Sequence, residues 1–173
     1  MDASESTPFD LQPRLEGEHL ELRPLVPGDF EALHAAASDP AIWELHPEPT
    51  RHERDVFRRY FDRGIASGGA FAIVDRATGR IIGSSRYSNL RADEVEIGWT
   101  FLERAYWGGT YNRELKRMMI AHALRFVPRV VFVVGEHNLR SRKALEKIGA
   151  HFVERTDADD GPRVVYEITR GPG

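Results

Sequence analysis

A strand-like segment, Glu94 to Leu102, runs into the turn Trp107-Gly108-Gly109-Thr110-Tyr111 and from there into a helical pattern. This order constrains the chain more than any other feature, because it brings the C-terminal end of a strand and the N-terminal end of a helix to one point. The first N–H groups of a helix lack intrahelical partners and share the positive end of its dipole, and glycines keep bulky side chains away from them. The result is an anion cradle suited to phosphate. Alone, a glycine pair is also a plain helix-entry turn. Gly-x-Gly-x-x-Gly and Gly-Lys-Ser/Thr are both missing, which argues against a Rossmann site and a P-loop.

The rest of the chain reads as α/β. His19 to Leu25 alternates as a first strand, and Pro27-Gly28-Asp29 opens a helix to about Ser38. A second helix is expected over 51–67, with Val56, Phe57, Tyr60, Phe61 and Ile65 as one apolar stripe and Gly68-Gly69 as its stop. Strands over 70–75, 80–90 and 94–102 form an antiparallel meander. On the last of these, Val95, Ile97 and Trp99 share one face, and Glu94, Glu96 and Gly98 the other. A helix over 111–126 buries Leu115, Met119 and His122. The run Val130 to Val134 is a strand covered on both sides. A helix over 139–148 and two strands over 150–155 and 163–169, joined by an acidic turn around Asp157 to Gly161, complete the order.

At 173 residues the chain suits one core, so a flexible lead over 1–15 and a single domain over 16–170 are expected. No apolar stretch is long enough to span a bilayer, and the start, Met1-Asp2-Ala3-Ser4-Glu5-Ser6, lacks the character of a secretory signal. A cytoplasmic location and no membrane partner follow. Without cysteine there is no disulfide, thiolate metal site or cysteine nucleophile. The histidines show no metal-ligand spacing, so no metal is expected. The net charge of −3 argues against nucleic acid, yet between Arg113 and Lys147 there are nine Lys/Arg against three Glu. That local excess suits a small polyanion, or is a solvated helix face.

Four ordered blocks carry a resemblance over nearly the whole chain. They are Leu20-Glu21-Leu22-Arg23-Pro24-Leu25 with Asp29-Phe30, then Glu96-Ile97-Gly98-Trp99, then Tyr106-Trp107-Gly108-Gly109-Thr110-Tyr111, and finally Asn138-Leu139-Arg140-Ser141 leading to Glu146-Lys147-Ile148-Gly149-Ala150. The set resembles the GCN5-related N-acetyltransferase (GNAT) superfamily, and within it the ribosomal-protein N-acetyltransferase type. The resemblance implies a mixed, mostly antiparallel sheet split into a V and flanked by about four helices. It also implies acetyl-coenzyme A in the split and direct acetyl transfer to a primary amine, on a protein N-terminus or a small molecule. The usual glycine-turn pattern, Gln/Arg-x-x-Gly-x-Gly/Ala, is broken by Ala105 in the first slot and Thr110 in the third.

In that frame the backbone of Thr100, Phe101 and Leu102 pairs with the pantetheine amides, and the N–H groups of Gly108, Gly109, Thr110, Tyr111 and Asn112 hold the pyrophosphate. Glu96 is the candidate base, on a central strand where burial would raise its pKa; a pairing with an arginine is the plain alternative. Glu136 is a second candidate, acting through water. The resemblance puts Asn138 near the pantetheine arm and Ser141 near the thioester sulfur as the acid, although both residue types also cap helices. Arg140, Arg142 and Lys143 could reach the adenosine 3′-phosphate, with Arg142 the choice; a solvated face is the plain alternative. Trp43, His46 and Glu48 help form the acceptor mouth by family analogy, since exposed aromatic and acidic residues suit a cationic amine; for Trp43, plain packing is the alternative. A homodimer through strand edges or helix faces is compatible with the sequence. Two other readings stand beside the enzyme: a non-catalytic acyl-CoA sensor, and an interaction protein that keeps only the fold.

Overall fold

A computed structural model describes residues 8–159 and 161–171. Strands β1 (Leu15–Glu16) and β2 (Leu20–Pro24) are followed by α1 (Phe30–Ala37) and α2 (Arg54–Ser67). The meander β3 (Ala70–Asp75), β4 (Ile81–Ser88) and β5 (Glu94–Leu102) leads to α3 (Thr110–Ala123). Then come β6 (Arg129–Gly135), α4 (Leu139–Lys147), β7 (His151–Ala158) and β8 (Gly161–Thr169). All eight strands join one sheet in the order β1-β2-β3-β4-β5-β6-β8-β7, antiparallel except where β5 meets β6. The expected mixed α/β fold is therefore present. Within the acidic turn joining β7 to β8, Asp160 lies outside the described residues, as do residues 1–7 of the lead.

The sheet separates two apolar cores. On one face α1 and α2 press Phe30, Leu33, Phe57 and Phe61 onto Ala70, Ala72 and Phe101. On the other, Leu115, Met119 and Ala123 of α3 cover Leu22, Ile73, Val95, Ile97, Val130 and Phe132. Each stripe follows from helical spacing, and α2 ends where Gly68 turns left-handed at φ 68°. Between β2 and α1, Arg23 holds the Asp29 carboxylate through two 2.9 Å bonds, and Asp29 accepts from Val26 N–H at 2.9 Å. These bonds fix the turn that sends the chain from the sheet into α1.

Part of the expected flexible lead is in fact packed. Phe9 stacks on Phe126 and meets Tyr87 edge-on, His122 contacts Asp10 O at 2.8 Å, Gln12 donates to Ala70 O, and Leu15–Glu16 pairs with β2. Phe9 and Leu11 are covering apolar surface that the meander and α3 leave open.

Candidate active site

Pairing between β5 and β6 covers only Glu94–Arg129, Val95–Val130 and Glu96–Val131. Beyond it the two strands diverge, and a cavity of about 690 Å³ opens between them. Its walls include residues 96–102 of β5, 132–135 of β6, the glycine turn, one face of α3 and one face of α4.

The divergence begins at a defined backbone feature. Trp99 has φ 56°, a left-handed conformation that costs a bulky residue energy, and the β4–β5 register shifts between Ser84 and Arg86 opposite it. The Tyr60 hydroxyl donates to Trp99 O and braces the bulge. The extra residue inverts the alternation. Val95 and Ile97 belong to the α3-side core, whereas Trp99 packs against the α1/α2 core, Phe101 lies in that core, and Leu102 returns to the first. Trp99 thus does not share a face with Ile97, because a period-2 reading assumes an unbroken strand.

At the other end of the cavity, Gly109 is the N-cap of α3, with φ 104°, and Gly108 has φ 119°. Positive φ, rather than crowding, is what calls for glycine here, since an added Cβ on either would meet no atom within 4 Å. The cap makes no side-chain hydrogen bond, and the first turn carries no acidic residue. The leading N–H groups of α3 are left for an incoming anion. Gly108, Gly109 and Asn112 line the cavity, together with Arg113 and Lys116. The Thr110 and Tyr111 side chains do not: Thr110 is exposed, and Tyr111 packs edge-on against Tyr106 and His19. Only their backbone belongs to the turn.

Glu96 lines the cavity beside Gly98, whose added Cβ would lie 3.3 Å from Glu96 Oε2. Burial pushes the Glu96 carboxyl above the ordinary range, opposed by a 2.8 Å bond from Asn89 Nδ2 and by the charges of Arg163 and Arg86. Glu136 is turned away. It pairs with Arg155 on the neighbouring hairpin and is not part of the wall. Asn138 caps α4, its Oδ1 accepting from Ser141 N–H at 3.3 Å, and both residues line the cavity.

Two expectations need correction. Arg142 is not in the wall: its guanidinium donates to Tyr166 Oη at 3.1 Å and Glu136 O at 2.9 Å, on the side of α4 facing β8. The cavity-facing positions of α4 are Arg140, Ser141, Lys143, Ala144 and Lys147, and Arg140 lies over the Trp107 ring at 4.0 Å. Trp43, His46 and Glu48 do reach the cavity, but Trp43 is no exposed aromatic. It is 1% exposed, donates from Nε1 to Ala37 O, and packs on Phe101.

Two residues of the site are not expected from the sequence. Lys116 is 7% exposed, donates to Thr100 Oγ1 at 2.9 Å, and is driven by burial to a pKa of about 8. Arg51 is 9% exposed and lies over three rings, Trp43, Tyr60 and Trp99. The i, i+4 spacing from Asn112 could have pointed to Lys116; nothing local marks Arg51, whose rings come from three separate elements. Glu18, His19 and Glu114 approach one another on the surface, where Glu114 accepts from the N–H groups of His19 and Leu20.

The fold as a whole recurs in known proteins. The profile of the "Acetyltransferase (GNAT) domain" matches residues 19–151. No curated protein sequence matches the chain. A GCN5-related N-acetyltransferase from Brucella melitensis superposes with a TM-score of 0.83 at 18% identity, over 94% of this chain and 80% of that one. An acetyltransferase from Agrobacterium tumefaciens C58 gives 0.71 at 25% identity, over 91% and 95%. Mycobacterium smegmatis RimJ, in complex with CoA-disulfide, gives 0.70 at 18%, over 87% and 81%. With the profile spanning well over half of the residues and the same architecture found in these structures, the chain belongs to the GNAT acetyltransferases, a family that transfers acyl groups from acyl-CoA.

Proposed function

We propose that the protein is an acetyl-CoA-dependent N-acetyltransferase of the ribosomal-protein N-acetyltransferase type, acting on a primary amine. The observation that carries this is the divergence of β5 from β6 toward the glycine-capped start of α3. The free edge of β5 suits the amides of pantetheine, and the N–H groups of α3 suit pyrophosphate. Of the three residues expected at the adenosine phosphate, Arg140 and Lys143 line the cavity and take the place of Arg142, with Lys147 beside them. The CoA-disulfide bound to the M. smegmatis RimJ supports the same class of ligand.

Acetyl-CoA supplies an activated acetyl group. The chain's residues then divide the proton work: Glu96 accepts the proton released as the amine nitrogen bonds to the acetyl carbon, and Ser141 donates one to the departing thiolate as the C–S bond breaks. A carboxyl kept above its ordinary range is the better base near neutrality, which fits the burial of Glu96. Thr110 in place of the usual small residue leaves its N–H available, so binding is retained.

Calorimetric titration with acetyl-CoA and CoA tests the reading, followed by thiol release with an amine panel. Micromolar binding and acceptor-dependent thiol release are expected. Absence of binding would overturn it.

A further inference from the structure

The acceptor end of the cavity is basic where a mouth for a cationic amine would be acidic. Arg51, Arg63 and Arg163 line it together with the carboxylates Glu48 and Glu96. Arg51 is the residue of interest, because it is more than nine-tenths buried and still borders the cavity.

Its surroundings hold a charge without neutralising it. The guanidinium carbon lies 5.3, 5.0 and 5.6 Å from the ring centres of Trp43, Tyr60 and Trp99. Such a cage attracts a cation and fixes its position. Its contact with His46 Nδ1 is long, at 3.5 Å, and Nε has no hydrogen-bond partner. Among the described residues no carboxylate comes within 4.0 Å of it. Burial is the main influence, pushing the Arg51 pKa down; Tyr60 and Glu48 oppose it, while Arg86 and Arg63 add to it. Arg86, itself 6% exposed and with an unpartnered Nε, sits behind the cage with its guanidinium carbon 4.6 Å from the Trp99 ring centre.

A buried guanidinium in this state is destabilising unless something pairs with it. Its planar fork matches a carboxylate, which could be held by two parallel bonds. Trp99 belongs both to the cage and to the bulge beside Glu96, so an anion held at Arg51 would be on the same side of the split as the candidate base. From this geometry we infer that the acceptor is an amine that also carries a carboxylate, bound by Arg51, with its nitrogen directed to Glu96. The inference rests on the N-acetyltransferase reading for the fate of the amine, but not for the binding of the carboxylate.

Two sources offer that chemistry, a free amino acid and an acidic residue at a peptide N-terminus. The experiment titrates the intact protein calorimetrically, with and without CoA, using free α-amino acids against their α-amides, and tripeptides beginning with Asp or Glu against those beginning with Asn or Gln. Thiol release is followed with the same probes. In one of the two series the acid form is expected to bind at least about tenfold more tightly than its amide, as charged hydrogen bonds typically allow. R51Q should abolish that preference. R51K, which keeps the charge and the ring contacts but not the fork, should weaken it and serves if R51Q does not fold. Equal binding of acids and amides, no binding of any probe, or a preference that survives R51Q would overturn the inference. Failure of acetyl-CoA to bind would remove the transferase reading while the carboxylate titration still decides this one.

Discussion

Lys116 Nζ donates to Thr100 Oγ1 at 2.9 Å, and that hydroxyl lies 2.8 Å from Ser85 Oγ, so a lysine on α3 is tied to two sheet strands through neutral groups alone. Its pKa falls from the ordinary 10.5 to about 8, because burial disfavours the charged form. The folded state therefore binds fewer protons than the unfolded state between these values, and stability should rise with pH across that window. Lys116→Met should raise stability at pH 7 by about 1–3 kcal/mol and flatten this dependence. Urea unfolding at pH 7 and at pH 9.5 checks both.

Glu96 sets the acid limb of activity in the proposed mechanism. Its raised pKa means that the rate should fall as pH drops through a value above the ordinary carboxylate range. Glu96→Gln should lose about 10²- to 10⁴-fold in kcat/KM and lose that limb. Asn89→Ala removes the donor that favours the charged carboxylate, so its limb should move to higher pH. A kcat/KM profile for each protein measures these shifts.

Gly109→Ala tests the cradle without creating a clash. The position has φ 104° and open space around it, so the cost is in the backbone, roughly 1–3 kcal/mol. Because relaxation toward negative φ would turn the first N–H groups of α3 away from the cavity, acetyl-CoA affinity should also fall. Thermal unfolding and calorimetry separate the two effects.

The Arg23–Asp29 pair holds the entry to α1. Although burial raises the Asp29 pKa, the bonds from Arg23 and Val26 outweigh it, and the carboxyl sits below its ordinary range. This stability is present above the unfolded pKa and is lost as pH falls through the lower folded value. Asp29→Ala should cost about 2–3 kcal/mol at pH 7 and weaken the acid dependence, as read by urea titration from pH 7 to pH 2.

Much of this architecture is legible in the sequence. β3 and β5 have the bounds that alternation and turn residues predict, and Gly68 and Gly108–Gly109 mark a helix stop and a helix start. What was not legible depends on contacts distant in sequence. The bulge at Trp99 is braced by Tyr60, 39 positions away, so no local pattern announces the reversal of faces after Ile97. On α4, adjacent residues lie about 100° apart, and Tyr166 and Glu136 determine that Arg142 turns from the cavity while Arg140 faces it. Lys116 counts in a sequence as one more surface charge; only the fold makes it a buried one.

The two cores differ in what they join. The α1/α2 core draws its buried residues from Leu25 to Phe101, all from one side of the split. The α3 core reaches across, from Val95, Ile97 and Leu102 to Val130, Phe132, Val164 and Tyr166. Since three residue pairs are the only ladder between β5 and β6, α3 acts as the clamp across a fault line in the sheet. The gap between its two banks is therefore set by the side chains packed in that shared core as well as by backbone pairing, which makes the aperture of the cleft depend on side-chain volume.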